Sequence, residues 1–356
     1  MQTNIQDLIT EELQGILITD PCSLRYYTGF SGGEGVALCT KQDTVLYVDS
    51  RYTEAARLET EATGTGFTVR EFNHENPLYQ LLRDQLAKAG AEAVGFEDRS
   101  MVCSSFTKYH KELEVKLVPL EDTLLKPRQI KTKEELALLR KAEEIGDIAF
   151  EHVLKLLKPG ITELEVAAEL EYSMKRNGAS GLSFDTIVAS GFHSAMPHAV
   201  PTEKKLEKGD FVTMDFGCIY HGYCSDMTRT VVIGRANEEQ RKIYETVLHA
   251  HIRAMEGLRP GMKCLDVDRI ARDYIRDAGY GAYFGHGLGH SVGLYIHESP
   301  ALNTRDETVL VPGMIETIEP GIYIPGFGGV RIEDMGVVTE EGYESFARSP
   351  KMLIEL

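Results

Sequence analysis

Two aspartates stand at the ends of a short segment that is rich in β-forming residues. Asp215 lies in Met214-Asp-Phe-Gly and Asp226 lies in Ser225-Asp-Met-Thr-Arg-Thr, and their midpoint, 220.5, falls between Tyr220 and His221. A tight hairpin centred there places the two aspartates directly opposite each other, with Cβ atoms about 4.5–5.5 Å apart. Two negative charges at that distance repel unless a cation lies between them. The alternatives are that one aspartate faces solvent or that the register of the hairpin slips.

A second acidic pair repeats this arrangement. Glu319 and Glu333 have their midpoint at Gly326, in the middle of the turn Pro325-Gly-Phe-Gly-Gly. A loop centred on this glycine again places the two carboxylates opposite each other. Arg331 precedes Glu333 by two residues, so both side chains are expected on the same face of a strand.

A glycine-rich segment supplies imidazoles. His286 and His290 are four residues apart, which is the spacing of zinc-binding histidines on a helix. Glycines at 285, 287 and 289 disfavour a helix here and let the backbone approach a ligand closely. We therefore expect a loop that enters a strand, with His290 and His297 as separate functional candidates. Other acidic and imidazole side chains of this region are assigned no chemistry: His193, His221, His249, His251 and Glu316.

Together these motifs supply four opposed carboxylates and at least one imidazole. Four buried carboxylates cannot stay ionised without partners, and two divalent cations would compensate their charge. An oxygen-rich donor set with one imidazole favours Mn²⁺ or a similar ion over a closed structural zinc site. Two metals about 3.5–4 Å apart can hold a bridging hydroxide and polarise a carbonyl group, which is hydrolase chemistry.

The elements that must position these residues follow two patterns. In the first third of the chain, short apolar runs alternate with stretches of helical spacing, which is typical of an α/β domain. Strands are predicted at 16–19, 36–40, 44–49, 67–72, 93–97 and 115–120, and helices at 52–62 and 77–90. The polar segment 121–131 contains Pro127, so we predict one domain over 1–126 and a second over 127–356.

Helices open the second domain. Thr132 with Glu135, and Thr162 with Glu165, form two capping boxes. The first predicts a long amphipathic helix that stops before Pro159, and the second predicts a helix that ends near Gly178. Two further helices are predicted at about 237–257 and 264–278, with strands between the helices.

Composition excludes several classes of protein. The chain has 356 residues, a net charge of -17 and 42% hydrophobic residues. This composition argues against a disordered or fibrous chain, and the negative charge argues against nucleic acid or an anionic membrane as a partner. No apolar run is long enough for a transmembrane helix, and no signal peptide is visible. The six cysteines lack C-x-x-C pairs, so we expect reduced thiols in a cytoplasmic protein.

Five motifs in order give the second domain a specific resemblance. They are Met214-Asp-Phe-Gly, Ser225-Asp-Met-Thr-Arg-Thr, His286-Gly-Leu-Gly-His with His297-Glu, Thr317-Ile-Glu-Pro-Gly and Val330-Arg-Ile-Glu-Asp. The sequence resembles the pita-bread metallopeptidases of family M24, which include methionine aminopeptidase, aminopeptidase P and prolidase. The first domain, with Ser23-Leu-Arg-Tyr-Tyr-Thr-Gly and Asp49-Ser-Arg-Tyr, resembles the creatinase-like amino-terminal domain of aminopeptidase P and prolidase. The resemblance implies an α/β (α+β) chain with these two domains.

The resemblance also implies roles for individual residues. The metal ligands implied are Asp215, Asp226, His290, Glu319 and Glu333. Among them, Asp226 and Glu333 are the bridging ligands. His198 is implied to contact the substrate, and His297 to stabilise the tetrahedral intermediate. Arg331 and His286 match accessory active-site residues.

The activity implied is hydrolysis of Xaa-Pro bonds in short proline-containing peptides by a metal-bridging hydroxide. Two divalent ions per chain are expected, with Mn²⁺ favoured and Co²⁺ or Zn²⁺ as alternatives, and a homodimer is expected. The sequence leaves open whether the enzyme is a dipeptidase or an aminopeptidase. Two alternative functions are considered. One is a methionine aminopeptidase, which the amino-terminal domain disfavours. The other is a peptide-binding module without catalysis, which the complete ligand set disfavours.

Overall fold

The computed structural model describes residues 4–356. The chain divides into two compact units, Met1–Arg128 (unit 1) and Gln129–Leu356 (unit 2). Within the described residues, no helix has the length and apolar character that crossing a membrane requires. The six cysteines are free thiols.

Unit 1 is built on a mixed six-stranded sheet with the strand order β4-β3-β2-β1-β5-β6. Its strands are β1 (Gly15–Ile18), β2 (Val36–Thr40), β3 (Thr44–Val48), β4 (Thr68–Glu71), β5 (Ala93–Phe96) and β6 (Lys116–Pro119). The helices are α1 (Pro21–Thr28), α2 (Thr53–Thr63), α3 (Leu78–Ala89), α4 (Cys103–Leu113) and the short α5 (Lys126–Gln129). All six predicted strands and both predicted helices are present.

Local sequence signals explain where most helices and strands of unit 1 begin and end. The β2–β3 pair is antiparallel and closes at Thr40 and Asp43, as expected for a hairpin. Helices α1 and α4 were not predicted, and neither was the short α5, which lies in the predicted linker 121–131. Helix α1 begins with Pro21 directly after Asp20, whose side chain accepts a hydrogen bond from the N–H of Ser23. An acidic N-cap followed by proline is a typical helix start.

Unit 2 contains four long helices and thirteen short strands among its described residues. The helices are α6 (Lys133–Leu154), α7 (Glu163–Arg176), α8 (Glu238–Gly257) and α9 (Cys264–Asp277). The strands before α8 are β7 (Gly181–Leu182), β8 (Ile187–Ser190), β9 (Phe211–Phe216), β10 (Cys218–Tyr220), β11 (Tyr223–Cys224) and β12 (Met227–Val232). Those after α9 are β13 (Gly289–Ser291), β14 (Glu298–Leu302), β15 (Ile315–Ile318), β16 (Gly321–Ile324), β17 (Gly328–Arg331), β18 (Asp334–Val338) and β19 (Tyr343–Ser345).

The helix starts of unit 2 follow the predicted caps. Both capping boxes are formed, at Thr132 with Glu135 and at Thr162 with Glu165. Helix α6 ends at Leu154, earlier than the predicted stop at Pro159, because a turn closed by the N–H of Leu156 on Val153 replaces the helix.

Two apolar clusters hold the helices of unit 2 on its strands. Helices α6 and α7 pack on β8, β9 and β12, and α8 and α9 pack on β15 to β18. Strand β9 shows how these clusters orient the polar residues. Val212, Met214 and Phe216 are in the first cluster, so the side chains of Thr213 and Asp215 point to the opposite face of the strand.

Candidate active site

All nine residues predicted to form the site line a single cavity of unit 2, whose volume is about 950 Å³. They come from separate parts of the chain: His198, Asp215, Asp226, His286, His290, His297, Glu319, Arg331 and Glu333. The structure therefore brings together both acidic pairs, the glycine-rich segment and the outlying His198.

The first hairpin differs from the predicted register. Asp215 pairs with Thr228 instead of Asp226, and Tyr220 pairs with Tyr223. The two-residue loop is His221-Gly222, with φ of 45° and 84°, as a type I′ turn requires. The prediction of direct opposition was wrong because the turn lies one residue later than the midpoint. The pairing partner consequently shifts by two residues, so Asp226 stays on the same face as Asp215, as its diagonal neighbour.

The second hairpin has the predicted register. Gly321 pairs with Arg331 and Ile324 pairs with Gly328, so the hairpin is centred on Gly326. Glu319 and Glu333 follow the same register just beyond the paired residues. The N–H of Glu319 donates to the carbonyl of Leu288 at 2.7 Å, and the N–H of Glu333 donates to the carbonyl of Thr228 at 3.1 Å. These two bonds join the second hairpin to the glycine-rich segment and to β12.

The glycine-rich segment is a loop that enters a strand, as predicted. It leads into β13, where His290 lies. A Cβ at Gly289 would overlap the carbonyl of Thr317 on β15, so only glycine permits this close approach. The N–H of His290 donates to the hydroxyl of Thr317 at 3.0 Å. The loop is thus fixed against the strand that precedes Glu319.

Three side chains from different motifs form a group that could hold a metal ion. Asp226, His290 and Glu333 each offer one ligand atom, and these atoms lie within 4.8 Å of one another. The Nε2 atom of His290 is 3.5 Å from an oxygen of Asp226 and 3.6 Å from an oxygen of Glu319. Its Nδ1 faces the carbonyl of Ser291 at 3.1 Å, which places the proton on Nδ1 and leaves Nε2 free to coordinate.

The electrostatics of these carboxylates fit a divalent cation. Burial, together with the charges of Glu333 and Asp215, raises the pKa of Asp226 well above its usual range. Burial and the charge of Glu319 do the same for the pKa of Glu333, and burial raises the pKa of Glu319 to about 8. One oxygen of Asp215 is buried without a hydrogen-bond partner in residues 4–356. A divalent cation would relieve all four conditions, because the one guanidinium beside these four carboxylates, that of Arg331, does not balance their charge.

Arg331 is the centre of a buried hydrogen-bond network beside the carboxylates. Its guanidinium donates to Asp215 at 2.5 Å, to the hydroxyl of Tyr323 at 2.8 Å and to the hydroxyl of Thr228 at 3.1 Å. Thr228 in turn donates to Glu333 at 2.6 Å. Arg331 therefore orients one carboxylate directly and a second through Thr228.

Tyr323 and Thr228 were not identified from the sequence. The hydroxyl of Tyr323 also lies 2.9 Å from Nε2 of His286, so it joins that histidine to Arg331. In an extended chain every second side chain points to the same face. Tyr323 is four residues after Glu319 and Thr228 is two residues after Asp226, so each shares a face with a predicted ligand. Counting by two from each predicted ligand would have selected both residues.

Two imidazoles of the cavity, those of His286 and His290, are neutral at pH 7. Burial lowers the pKa of His286 and of His290 to about 4, with Arg331 adding to the effect at His286 and His297 adding to it at His290. Burial and the nearby His198 also lower the pKa of His297. The rings of His290 and His297 are 4.5 Å apart between centroids. Neutral imidazoles can each accept one bond and donate another.

The histidines that were assigned no chemistry lie outside the cavity lining. His193 faces the carboxylate of Glu163, His221 is in the hairpin loop, and His249 is beside Tyr274. His251 is fully buried. Glu316 is fully buried on β15, and neither of its carboxylate oxygens has a hydrogen-bond partner within the described chain.

Known families match both parts of the chain. Residues 137–340 match Metallopeptidase family M24, which covers more than half of the sequence. The chain belongs to this family. Residues 3–130 match the Creatinase/Prolidase N-terminal domain. These matches confirm the predicted family and the predicted fold class, an α/β chain with an amino-terminal creatinase-like domain and a carboxyl-terminal M24 domain. As an M24 metallopeptidase, the chain is an enzyme that works with divalent metal ions.

Similar M24 proteins extend over both units. An Xaa-Pro dipeptidase from Pyrococcus furiosus is 42% identical over 341 residues, which are 95% of this chain and 94% of that protein. A solved Xaa-Pro dipeptidase from Bacillus anthracis is 44% identical, with a TM-score of 0.93, and the match covers 97% of this chain and 95% of that chain. A solved X-Pro aminopeptidase from Thermotoga maritima MSB8 is 34% identical, with a TM-score of 0.91, and the match covers 98% of this chain and 99% of that chain.

Proposed function

We propose that this M24 metallopeptidase hydrolyses Xaa-Pro bonds and prefers dipeptides. The observation that carries this proposal is the convergence of four carboxylates and His290 in one cavity. The similarity to Xaa-Pro dipeptidases over nearly the whole chain supports the bond that is cleaved. Apolar residues on the cavity wall, such as Phe184 and Ile187, suit a proline ring. The match of unit 1 to the Creatinase/Prolidase domain disfavours methionine aminopeptidase.

Five residues are the proposed metal ligands: Asp215, Asp226, His290, Glu319 and Glu333. Asp226 and Glu333 would hold metal together with His290, because each of the three offers one ligand atom to the same group. Mn²⁺ is the proposed ion, with Co²⁺ or Zn²⁺ as alternatives, because carboxylate oxygens dominate the donor set. When bound, two such ions polarise a carbonyl group and lower the pKa of a water molecule.

The remaining side chains are proposed to move protons and hold the substrate. Glu319 accepts a proton from the attacking water and passes it to the proline nitrogen, which has no N–H of its own before the bond breaks. His297 and His198 donate hydrogen bonds to the carbonyl oxygen as it becomes negatively charged. Arg331 and His286 keep the carboxylates and Tyr323 in place through the network described above.

The proton transfer predicts the behaviour of one variant. Glu319→Gln keeps a carbonyl oxygen in place but cannot accept a proton, so we expect kcat to fall by about 10²- to 10⁴-fold. The measurement is steady-state hydrolysis together with metal content. Full activity in the metal-loaded variant would contradict the role of Glu319.

A free cation on the cavity wall supports the preference for dipeptides. Arg305 lines the cavity, is exposed, and has no side-chain hydrogen bond or ion pair with any residue in 4–356. The substrate Xaa-Pro ends in a carboxylate directly after the proline, whereas a longer peptide continues as an uncharged amide. A guanidinium binds a carboxylate through two parallel hydrogen bonds. We propose that Arg305 recognises this terminal carboxylate.

The test compares one dipeptide and one tripeptide of the forms Xaa-Pro and Xaa-Pro-Yaa. Arg305→Ala should lower kcat/KM for the dipeptide by about 10-fold, because a charge-assisted hydrogen bond is lost, and should change the tripeptide value much less. Arg269→Ala is the matched control, since Arg269 is exposed in the same unit and pairs with Asp266 outside the cavity. Equal losses for both substrates, or wild-type cleavage of the tripeptide alone, would contradict the dipeptide preference.

The remaining proposals concern the oligomeric state, the cellular location and the partners of the enzyme. We propose a homodimer in the cytoplasm that acts on short peptides without a nucleic-acid or membrane partner. The net charge of -17 supports the absence of anionic partners. Light scattering should give a mass near twice 39.7 kDa. A mass equal to one chain would contradict the dimer.

A further inference from the structure

Glu163 is a fully buried carboxylate that none of the chemistry above uses. It is the first residue of α7 and its side chain is inaccessible to solvent. One oxygen accepts the N–H and the hydroxyl of Ser190, at 2.7 and 2.8 Å. The other accepts the N–H and the hydroxyl of Thr202, at 3.1 and 2.7 Å. A buried charge of this kind persists only where hydrogen bonds replace the lost water.

His193 completes the cluster around this carboxylate. Its Nδ1 lies 2.9 and 3.0 Å from the two oxygens of Glu163. Burial alone would raise the pKa of Glu163, but the hydrogen bonds from Thr202, His193 and Ser190 outweigh it and hold the pKa below its usual range. The side chain is therefore an ionised centre with six hydrogen-bonding contacts.

The partners of Glu163 all lie in one segment, with Ser190 and Thr202 at its two ends. Between Ser190 and Thr202 the chain forms a short 3-10 helix, Gly191–Ala195, and then carries His198 into the cavity. The 3-10 helix also rests on β17, where the N–H of Gly329 donates to the hydroxyl of Ser194 at 2.8 Å. The part that carries His198 is far more open.

In this open part, 196–201, the only buried residue is Ala199, which packs with Ile187 and Ala189 of β8. Met196 is 50% exposed and Val200 is 75% exposed, on either side of His198. Its far end is tied to α7 at Thr202, through the carboxylate of Glu163 and through the N–H of Leu164, which donates to the carbonyl of Thr202 at 3.1 Å. Leu164 and other residues of α7 line the same cavity. The position of His198 relative to that wall therefore depends on this attachment together with the packing of Ala199.

We propose that Glu163 is a positioning residue that fixes both ends of the segment 190–202 and thereby places His198 against the substrate. This inference rests on the proposed function, in which His198 contacts the carbonyl group that is attacked. A displacement of about 1 Å at such a contact can lower a rate by about 100-fold. Glu163 is not among the proposed metal ligands, so its effect is confined to substrate and rate.

The first experiment is the substitution Glu163→Gln, which keeps the size but replaces an acceptor oxygen by an amide that cannot accept. We expect kcat/KM for an Xaa-Pro dipeptide to fall by about 10- to 100-fold. The affinity for Mn²⁺, measured by calorimetry, should stay within about twofold of the wild type, since the ligands are untouched. Glu165→Gln is the matched control, because Glu165 lies exposed on the same helix and glutamine also completes a capping box.

A double-mutant cycle separates positioning from general damage. If Glu163 acts through His198, Glu163→Gln should lower kcat/KM by less than about twofold in a protein that already carries His198→Ala. An equal loss in both backgrounds, or a loss of Mn²⁺ affinity, would overturn the proposal. Should Glu163→Gln not fold, Thr202→Val removes only one hydroxyl donor, and the same non-additivity is expected with a loss of about 3- to 10-fold.

Hydrogen exchange gives a readout that does not depend on peptide hydrolysis. Glu163→Gln should speed amide exchange in peptides covering 191–201 by about tenfold or more, while Glu165→Gln leaves it unchanged. Unchanged exchange in Glu163→Gln would overturn the proposal even if activity falls. A wild-type protein that does not cleave Xaa-Pro peptides would refute the proposed function, and the exchange result would still decide whether Glu163 holds the segment.

Discussion

The hydroxyl of Tyr323 links two side chains that face the proposed metal centre. It accepts a hydrogen bond from Arg331 at 2.8 Å and lies 2.9 Å from Nε2 of His286. Because Arg331 also donates to Asp215, loss of the hydroxyl frees the guanidinium to rotate away from that carboxylate. The hydroxyl thus acts on the site through Arg331, without being a ligand itself.

Tyr323→Phe tests this link. We expect kcat/KM for the dipeptide to fall by about 10- to 100-fold, because a hydrogen bond to a charged group is worth about 1.5–3 kcal/mol. Tyr244→Phe is the matched control, since the hydroxyl of Tyr244 donates to the carbonyl of Lys351 in the core of unit 2, away from the cavity. The control should lose some stability and keep its kcat/KM. Similar kinetic losses in both variants would show that Tyr323 has only a structural effect.

At the scale of elements, helix α9 holds the loop that contains His286. Arg272 and Asp268 form an ion pair on this helix at 2.6 Å. Arg272 donates to the carbonyls of Phe284 and His286 at 3.1 and 2.7 Å, and Asp268 accepts the N–H of Leu288 at 3.0 Å. One ion pair therefore fixes the backbone on both sides of Gly287, two residues before β13 begins.

Asp268→Asn tests whether this anchoring reaches the metal site. We expect the affinity for Mn²⁺ to fall by about tenfold, because groups that orient a ligand usually cost 10- to 100-fold when removed. Asp266→Asn is the control, as Asp266 forms an exposed ion pair with Arg269 on the same helix. Calorimetric titration of both metal-stripped variants gives the comparison. Equal affinities in the two variants would mean that the loop keeps its place without Asp268.

The two hairpins show which strand registers can be predicted from the sequence and which cannot. The register of the second hairpin was predicted because the glycine-rich turn left a single centre, Gly326. The first was misplaced because the choice between Tyr220-His221 and His221-Gly222 depends on which pair adopts positive φ, and glycine favours the latter. The ligand candidates survived this error since a shift of two residues keeps every side chain on its face.

Hydrogen bonds between residues far apart in the sequence could not be predicted from local sequence patterns. The carboxylate of Glu163 joins residues 27 and 39 positions away, and Arg229 bonds to the carbonyl of Glu333, 104 positions away. No period or cap in the sequence encodes such pairs. They follow only from the packing of α6 to α9 on the strands, which brings separate motifs into one cavity.

For the whole molecule, one buried histidine predicts how stability depends on pH. Burial lowers the pKa of His251 to about 4, although the charge of Asp334 opposes the shift. Above about pH 6.5 the ring is neutral in both the folded and the unfolded chain, so it adds no pH dependence. As the pH falls from 6.5 to 4, the unfolded chain binds a proton that the folded chain excludes, and stability is lost by up to about 3 kcal/mol.

His251→Leu should flatten this part of the stability profile. Both ring nitrogens of His251 lack hydrogen-bond partners in the described chain, so leucine removes the titration without breaking a hydrogen bond. The measurement is urea unfolding of both proteins in EDTA at pH 4.5 and pH 7. The wild type should lose more free energy of unfolding than the variant between these two values. Parallel losses would contradict the low pKa of His251.

The proposed hydrolysis depends on a cavity in which carboxylates are held together for metal ions. The most direct test is to strip the metal, add Mn²⁺ in steps, and follow both bound metal and cleavage of an Xaa-Pro dipeptide. We predict no cleavage without metal and full activity near two Mn²⁺ per chain, since the cation beside the carboxylates, Arg331, is already bonded to Asp215 and Tyr323 and does not polarise the carbonyl. Cleavage by the metal-free protein, or a chain that binds no Mn²⁺, would contradict the account.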